Sequence, residues 1–161
     1  MIFSLLPVER RIYRHYARYG ICDPEDIDIN LIAETFGITI VITDAHSMLL
    51  DQTIVIDRRM TEDNQRESFF HELAHFILHT GNQLTLHPLF VSQQEVRANR
   101  LAMSLAAPSW MIFRLIEKDR PLFDQAPYLA GRFLLPLSFM LKRLYTLYRV
   151  YESIRTERRK S

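Results

Sequence analysis

The residues with the clearest chemical potential occupy positions 71–75, which read His-Glu-Leu-Ala-His. On a helix, side chains four positions apart project from one face, so the imidazoles of His71 and His75 can reach a single ion. Glu72 is rotated by about 100° from His71, so its carboxylate would lie beside that ion. Zinc lowers the pKa of a bound water towards about 7, and a nearby carboxylate can then deprotonate it. The spacing therefore predicts a hydrolytic zinc site with two histidine ligands and Glu72 as general base.

A catalytic zinc ion needs a further protein ligand, and Glu95 is the candidate. It lies twenty positions after His75, near the start of a predicted helix. Two interpretations of Glu95 stay open at this point. Ser92 and Glu95 have the spacing of a capping box, which satisfies a helix N-terminus without any metal. Alternatively Glu95 binds the metal, and Asn99, one helical turn later, hydrogen-bonds a ligand imidazole and orients it.

Composition limits the other possibilities. The 161 residues are 48% hydrophobic and 24% charged, typical of one soluble globular domain. The single cysteine, Cys22, excludes an internal disulfide and an all-thiolate zinc site, and it fits a reducing compartment. The apolar stretch over 133–141 is interrupted by Pro136 and is far shorter than a bilayer span of roughly 20 residues. No positive charge precedes the apolar start of the chain, so no secretory signal is expected. These features predict a cytoplasmic protein with no membrane segment.

Charge is unevenly distributed along the chain. Residues 131–161 contain eight Lys or Arg and only two Glu, whereas the rest of the chain is mildly acidic. A basic C-terminal tail of this kind is more often a solvated helix face than a binding site. No module that binds nucleic acid is recognisable, so no direct contact with nucleic acid is expected.

The elements around the motif follow from periodicity and capping residues. β-branched runs predict strands, spacings of three and four predict amphipathic helices, and Gly and Pro mark their ends. The predicted helices span residues 8–19, 29–36 (capped by Asp28), 61–80 and 92–106. From Ser109 onward the chain is predicted to be helical, with breaks near Pro121, Pro127 and Pro136 and a long helix over 137–154. The predicted strands span 38–43, 48–50 and 53–57.

This order of elements predicts an α+β fold with a small N-terminal sheet followed by helices. We expect one domain over 1–161, with a catalytic core over about 1–108 and a helical subregion over about 109–161. The strand over 53–57 is the candidate edge strand for an extended substrate. The helix over 137–154 should pack through a stripe of apolar side chains at helical spacing: Leu141, Leu144, Tyr145, Tyr148 and Tyr151 or Glu152.

Three segments carry a wider pattern. Residues 31–40 read LIAETFGITI, residues 68–79 read SFFHELAHFILH after the strand that ends at Asp57, and residues 95–108 read EVRANRLAMSLAAP. In this order and spacing, they resemble the ImmA/IrrE family of metallopeptidases. There are departures from the family pattern, since Leu101 replaces an aromatic residue and Ala74 stands where glycine is common.

The resemblance implies a zincin-like fold of the gluzincin type, with zinc held by His71, His75 and Glu95 and with Glu72 as catalytic base. It also implies a partner, because such proteins typically act on a helix-turn-helix repressor of the same phage, mobile element or stress pathway. The implied function is site-specific cleavage of that repressor by a zinc endopeptidase, which relieves repression. The alternative is an antirepressor that binds its repressor stoichiometrically and keeps zinc for structure.

Overall fold

The computed structural model of the chain describes residues 7–79 and 88–158. The fold is α+β and mostly helical, as the sequence predicts. Its helices are α1 (Pro7–Arg18), α2 (Ile29–Thr35), α3 (Glu62–His79), α4 (Pro88–Ala106), α5 (Ser109–Leu115), α6 (Ala126–Phe133) and α7 (Leu137–Arg158), with 3-10 turns at Pro24–Asp26 and Phe123–Gln125; its strands are β1 (Thr39–Thr43), β2 (Met48–Leu50) and β3 (Thr53–Asp57). Within the described residues, no helix is both long and apolar enough to cross a membrane.

Local sequence explains how α2 begins and ends. The side chain of Asp28 accepts hydrogen bonds from the backbone N–H groups of Asn30 and Leu31, as a helix N-cap does. Gly37 follows the helix with a φ of 68°, a left-handed conformation that glycine adopts without a steric penalty. The predicted cap is therefore confirmed, and the chain turns directly into β1.

The sheet has the strand order β1-β3-β2. β1 pairs with β3 in parallel, and β2 pairs with β3 antiparallel through the turn at residues 51–52. β3 is therefore the central strand, and the prediction that it forms an edge is wrong. The continuous run from Ile54 to Ile56 is buried, which is typical of a strand with both faces covered. The edge strands are β1 and β2.

The core lies between β3, α3 and α4. The apolar side chains of α3 that flank or lie within the motif at 71–75 are fully buried: Phe69, Phe70, Leu73 and Ala74. Burying this apolar face fixes the rotation of α3 about its axis, and with it the direction in which the motif side chains project.

Helix α4 begins earlier than predicted. It starts at Pro88, so residues 88–91 of the predicted loop are helical and Ser92 lies inside the helix rather than at its N-cap. Proline suits a first helical position because its φ is already helical and the missing N–H would have no intrahelical partner. The capping-box interpretation of Ser92 and Glu95 is therefore wrong. The predicted end of α3 near Gly81 lies outside the described residues.

Helix α7 packs through a different face from the predicted stripe. Of the predicted residues, only Leu144 is buried, whereas Tyr145 is 55% exposed and Leu141 is 39% exposed. The buried face carries Met140 and, unexpectedly, Arg143, whose guanidinium pairs with Glu9 of α1 in the interior. The side chains of the last basic residues, Arg155, Arg158, Arg159 and Lys160, lie outside the described part of the structure. The predicted single domain, with its division near residue 108, stays a prediction.

Candidate metal centre

Helix α3 presents the two motif histidines on one face. The Nε2 atoms of His71 and His75 lie 3.1 Å apart, and the two rings meet edge to face with centroids 4.7 Å apart. His71 stays about one third exposed at its side chain, whereas the side chain of His75 is only 14% exposed. The pair is thus placed at the surface of the core, where an ion could enter from solvent.

Helix α4 brings the carboxylate of Glu95 to this pair. Glu95 Oε1 lies 3.2 Å from His75 Nε2, and Oε2 lies 3.8 Å from His71 Nε2. One ligand atom from each residue can be chosen so that all three lie within 4.8 Å of one another. The structure therefore brings the three predicted ligands together, although they come from two different helices.

The three residues fit a tetrahedral zinc ion. Bonds of about 2.0–2.1 Å at tetrahedral angles place ligand atoms about 3.3 Å apart, close to the separations found here. Two imidazoles and one carboxylate are a donor set that zinc uses in catalytic sites, with the fourth position left for water. Within the cluster the two imidazoles contact each other, and His75 contacts Glu95, at hydrogen-bonding distance.

Glu72 lies beside this cluster in a partly buried position. Burial raises the pKa of its carboxyl group above the usual range, and the nearby charge of Glu95 raises it further. His71 and a hydrogen bond from the backbone N–H of Leu49 act in the opposite direction and lower the pKa. Glu72 is therefore a partly buried carboxylate of increased basicity next to β2, and increased basicity is a property that a general base requires.

A cavity of about 330 Å³ adjoins the cluster, with His71 and Asn99 in its lining. Asn99 is thus close to the site, but its predicted hydrogen bond to a ligand imidazole stays a prediction. Glu67 also lines this cavity, and burial raises the pKa of its carboxyl group. Glu67 is not among the residues predicted from the sequence, although its position four residues before His71 places it on the same helix face. Leu49 affects the pKa of Glu72 through its backbone, and a backbone group cannot be recognised from residue type in the sequence.

A model of the peptidase M78 family, described as the IrrE N-terminal-like domain, matches residues 24–159. The chain belongs to this family. The ImmA/IrrE resemblance is thereby confirmed, and the matched segment contains all the candidate ligands of this M78 chain.

A curated relative agrees with this assignment, and a solved structure is similar in fold. The M78 chain is 30% identical over 112 residues to the phage-like element PBSX protein XkdA of Bacillus subtilis (strain 168), a match that spans 67% of this chain and 57% of that protein. It is also similar in fold to a solved structure described as a Mycobacterium tuberculosis transcriptional regulator, with a TM-score of 0.57 and 20% identity over 83% of this chain and 45% of the other. The M78 chain thus covers less than two thirds of either protein.

Proposed function

We propose that this M78 chain is a zinc-dependent, site-specific endopeptidase of the cytoplasm, and that it cleaves a helix-turn-helix repressor and so relieves repression. The observation that carries the proposal is the carboxylate of Glu72, which is partly buried and sits beside a convergent His-His-Glu cluster. A purely structural metal site would not need that carboxylate. The similarity to a protein of a phage-like element supports a role in the regulation of such an element.

His71, His75 and Glu95 would hold the zinc ion. When bound, zinc would supply a Lewis acid that polarises the scissile carbonyl and acidifies water. The carboxylate of Glu72 would accept a proton from the attacking water and deliver it to the leaving amine nitrogen. The backbone of Leu49 in β2 lies close to this carboxylate, and burial of the carboxylate would keep it basic enough to take the proton.

The substrate would lie along β2 rather than along β3. β2 is an edge strand, and its Leu49 lies close to the proposed general base, Glu72. An extended peptide could add to this edge through backbone hydrogen bonds, which bring a peptide bond to the site with little dependence on sequence. Side chains around the cavity next to His71 would then contribute the selectivity.

The test is to co-express the chain with a candidate helix-turn-helix repressor from its gene neighbourhood and to determine the masses of the products. The wild type should yield two defined fragments. Glu72→Gln should keep zinc and partner binding but leave the repressor intact, because the amide keeps the shape of the side chain and cannot accept the proton. Glu62→Gln, an exposed change on the same helix, is the matched control and should cleave normally.

A repression assay in cells separates cleavage from simple binding. If Glu72→Gln relieves repression as well as the wild type does, the peptidase proposal fails. The protein would then be the stoichiometric antirepressor, with zinc kept for structure.

A further inference from the structure

A second concave surface lies between α4 and α7 and has a volume of about 590 Å³. We call it the arginine groove, and it is defined by Arg97, Arg100 and Leu101 of α4 and by Arg143, Tyr145 and Arg149 of α7. Among the described residues that line it, none is acidic. It is also separate from the metal centre, because neither the three candidate ligands nor Glu72 contributes to its lining.

The charge of the groove is largely uncompensated. Arg143 is neutralised by Glu9, but Arg97, Arg100 and Arg149 are exposed and take part in none of the ion pairs among the described residues. Three cations around one concavity repel each other and create a local positive potential that attracts acidic groups. The mildly acidic composition of the rest of the chain makes this concentration a local feature rather than a consequence of net charge.

The groove also presents apolar surface to solvent. Val8 of α1 and Leu78 of α3 line it and are each 38% exposed, and Tyr145 adds a larger exposed ring. Leu101 is buried beneath them. Exposed apolar side chains within a polar rim are typical of surfaces that receive a protein segment. A nucleic acid backbone would use the arginines but would gain little from exposed Val and Leu side chains.

We propose that the arginine groove binds an acidic, amphipathic segment of a protein partner. The apolar side of that segment would cover Val8, Leu78 and Tyr145, while its carboxylates would pair with Arg97, Arg100 and Arg149. Leu78 lies one helical turn beyond His75 on α3, so a partner held in the groove would lie close to the C-terminal end of the motif helix. The groove would hold the partner whether or not the metal centre cleaves it.

The probe is a fluorescein-labelled helical peptide of about 18 residues, or five turns, with leucines on one face and glutamates on the other. Binding to the full chain is measured by fluorescence anisotropy at low and physiological salt. Two further peptides have the same length: one replaces glutamate with lysine, and the other replaces leucine with serine. A 20-base-pair DNA duplex serves as a competitor and tests whether the groove prefers a nucleic acid.

The decisive variant is Arg100→Glu/Arg149→Glu, which reverses one charge on each wall of the groove. It should weaken binding of the acidic peptide by about tenfold or more, because attraction becomes repulsion at both walls. The control Arg14→Glu/Arg18→Glu makes the same change in net charge on exposed positions of α1 and should stay within about twofold of the wild type. Arg100→Gln/Arg149→Gln should fall between the two. Zinc content should be equal in all of them, which shows that the fold and the metal centre are intact.

Three results would overturn the proposal. The first is equal binding of the peptide by the groove variant and the α1 control. The second is equal binding of the serine peptide and the leucine peptide, because the apolar side of the groove would then contribute nothing. The third is a DNA duplex that binds more tightly than the peptide and depends on Arg100 and Arg149, which would make the occupant a nucleic acid. None of these results bears on Glu72 or on cleavage, so the proposed peptidase function is tested separately.

Discussion

The carboxylate of Glu9 on α1 and the guanidinium of Arg143 on α7 form an ion pair in the interior, with each side chain less than 5% exposed. Both side chains of the pair also form hydrogen bonds to neighbouring residues. Ser109 donates to Glu9 through its backbone N–H and its hydroxyl, at 3.2 and 3.1 Å, and Arg143 donates through Nε to the carbonyl of Ala107 at 2.9 Å. This network joins the first and last helices of the described chain to the turn that begins α5.

The pair predicts an asymmetric response to mutation. Glu9→Ala leaves the charge of Arg143 buried without a partner and should lower the free energy of unfolding by about 3–5 kcal/mol. Replacing both residues with methionine should cost much less, because no uncompensated charge remains. Urea unfolding followed by the fluorescence of Trp110, the one tryptophan, measures both.

A matched control removes an exposed ion pair instead. Asp44 pairs with Arg58 at 3.2 Å, but both side chains are more than half exposed. Asp44→Ala should therefore change the unfolding midpoint little. If Glu9→Ala is as mild as Asp44→Ala, or if the double methionine variant is less stable than Glu9→Ala, the buried pair does not have this role.

The same pair explains why the packing face of α7 could not be predicted from the sequence. Apolar spacing alone favours the face with Leu141, Tyr145 and Tyr148, because an arginine is ordinarily assigned to solvent. Arg143 is buried only because Glu9, 134 residues away, provides its counter-charge. Periodicity within a helix contains no information about such a distant partner, so the predicted stripe is displaced from the true contact face.

Two leucines on α7 test this orientation. Leu144 is fully buried and Leu141 is 39% exposed, so the same substitution should have different costs at the two positions. Leu144→Ala should lower the free energy of unfolding by about 2–5 kcal/mol, since it removes core contacts and leaves a cavity. Leu141→Ala should cost clearly less in the same urea titration. Equal costs would mean that α7 packs through the predicted stripe after all.

The site was more predictable than the packing, for a physical reason. The spacing of His71 and His75 is a property of one helix, so a local pattern is enough to place both imidazoles on one face. The central position of β3 depends on which strands pair with it, and the pairing cannot be predicted from the sequence of a single strand. Glu95 is intermediate, because its contact with His75 needs the packing of α4 on α3. There the resemblance to a family contributed what local geometry left open.

Zinc removal should show whether the cluster stabilises the fold. A metal that binds only the folded chain adds about 2.7 kcal/mol to stability when its free concentration is a hundred times its dissociation constant. We expect one zinc ion per chain by elemental analysis, and we expect a chelator to lower the melting temperature of the wild type. His75→Ala should lack the ion and should melt at the same temperature with and without chelator. One zinc ion per chain in purified His75→Ala would contradict the proposed ligand set.

Glu95→Gln tests the third ligand and the discarded capping role together. A neutral amide is a poorer zinc ligand than a carboxylate, so zinc affinity should fall. The loss should be at least on the order of tenfold to a hundredfold, which is typical when a residue that hydrogen-bonds a ligand is replaced. Because α4 begins at Pro88, Glu95 has no capping box to lose, and the metal-free variant should be as stable as the metal-free wild type. Asn99→Ala is the comparison and should reduce zinc affinity less than Glu95→Gln does. Full zinc retention by Glu95→Gln would leave His71 and His75 as the ligands among these residues. If metal-free Glu95→Gln is less stable than the metal-free wild type, Glu95 stabilises the helix itself.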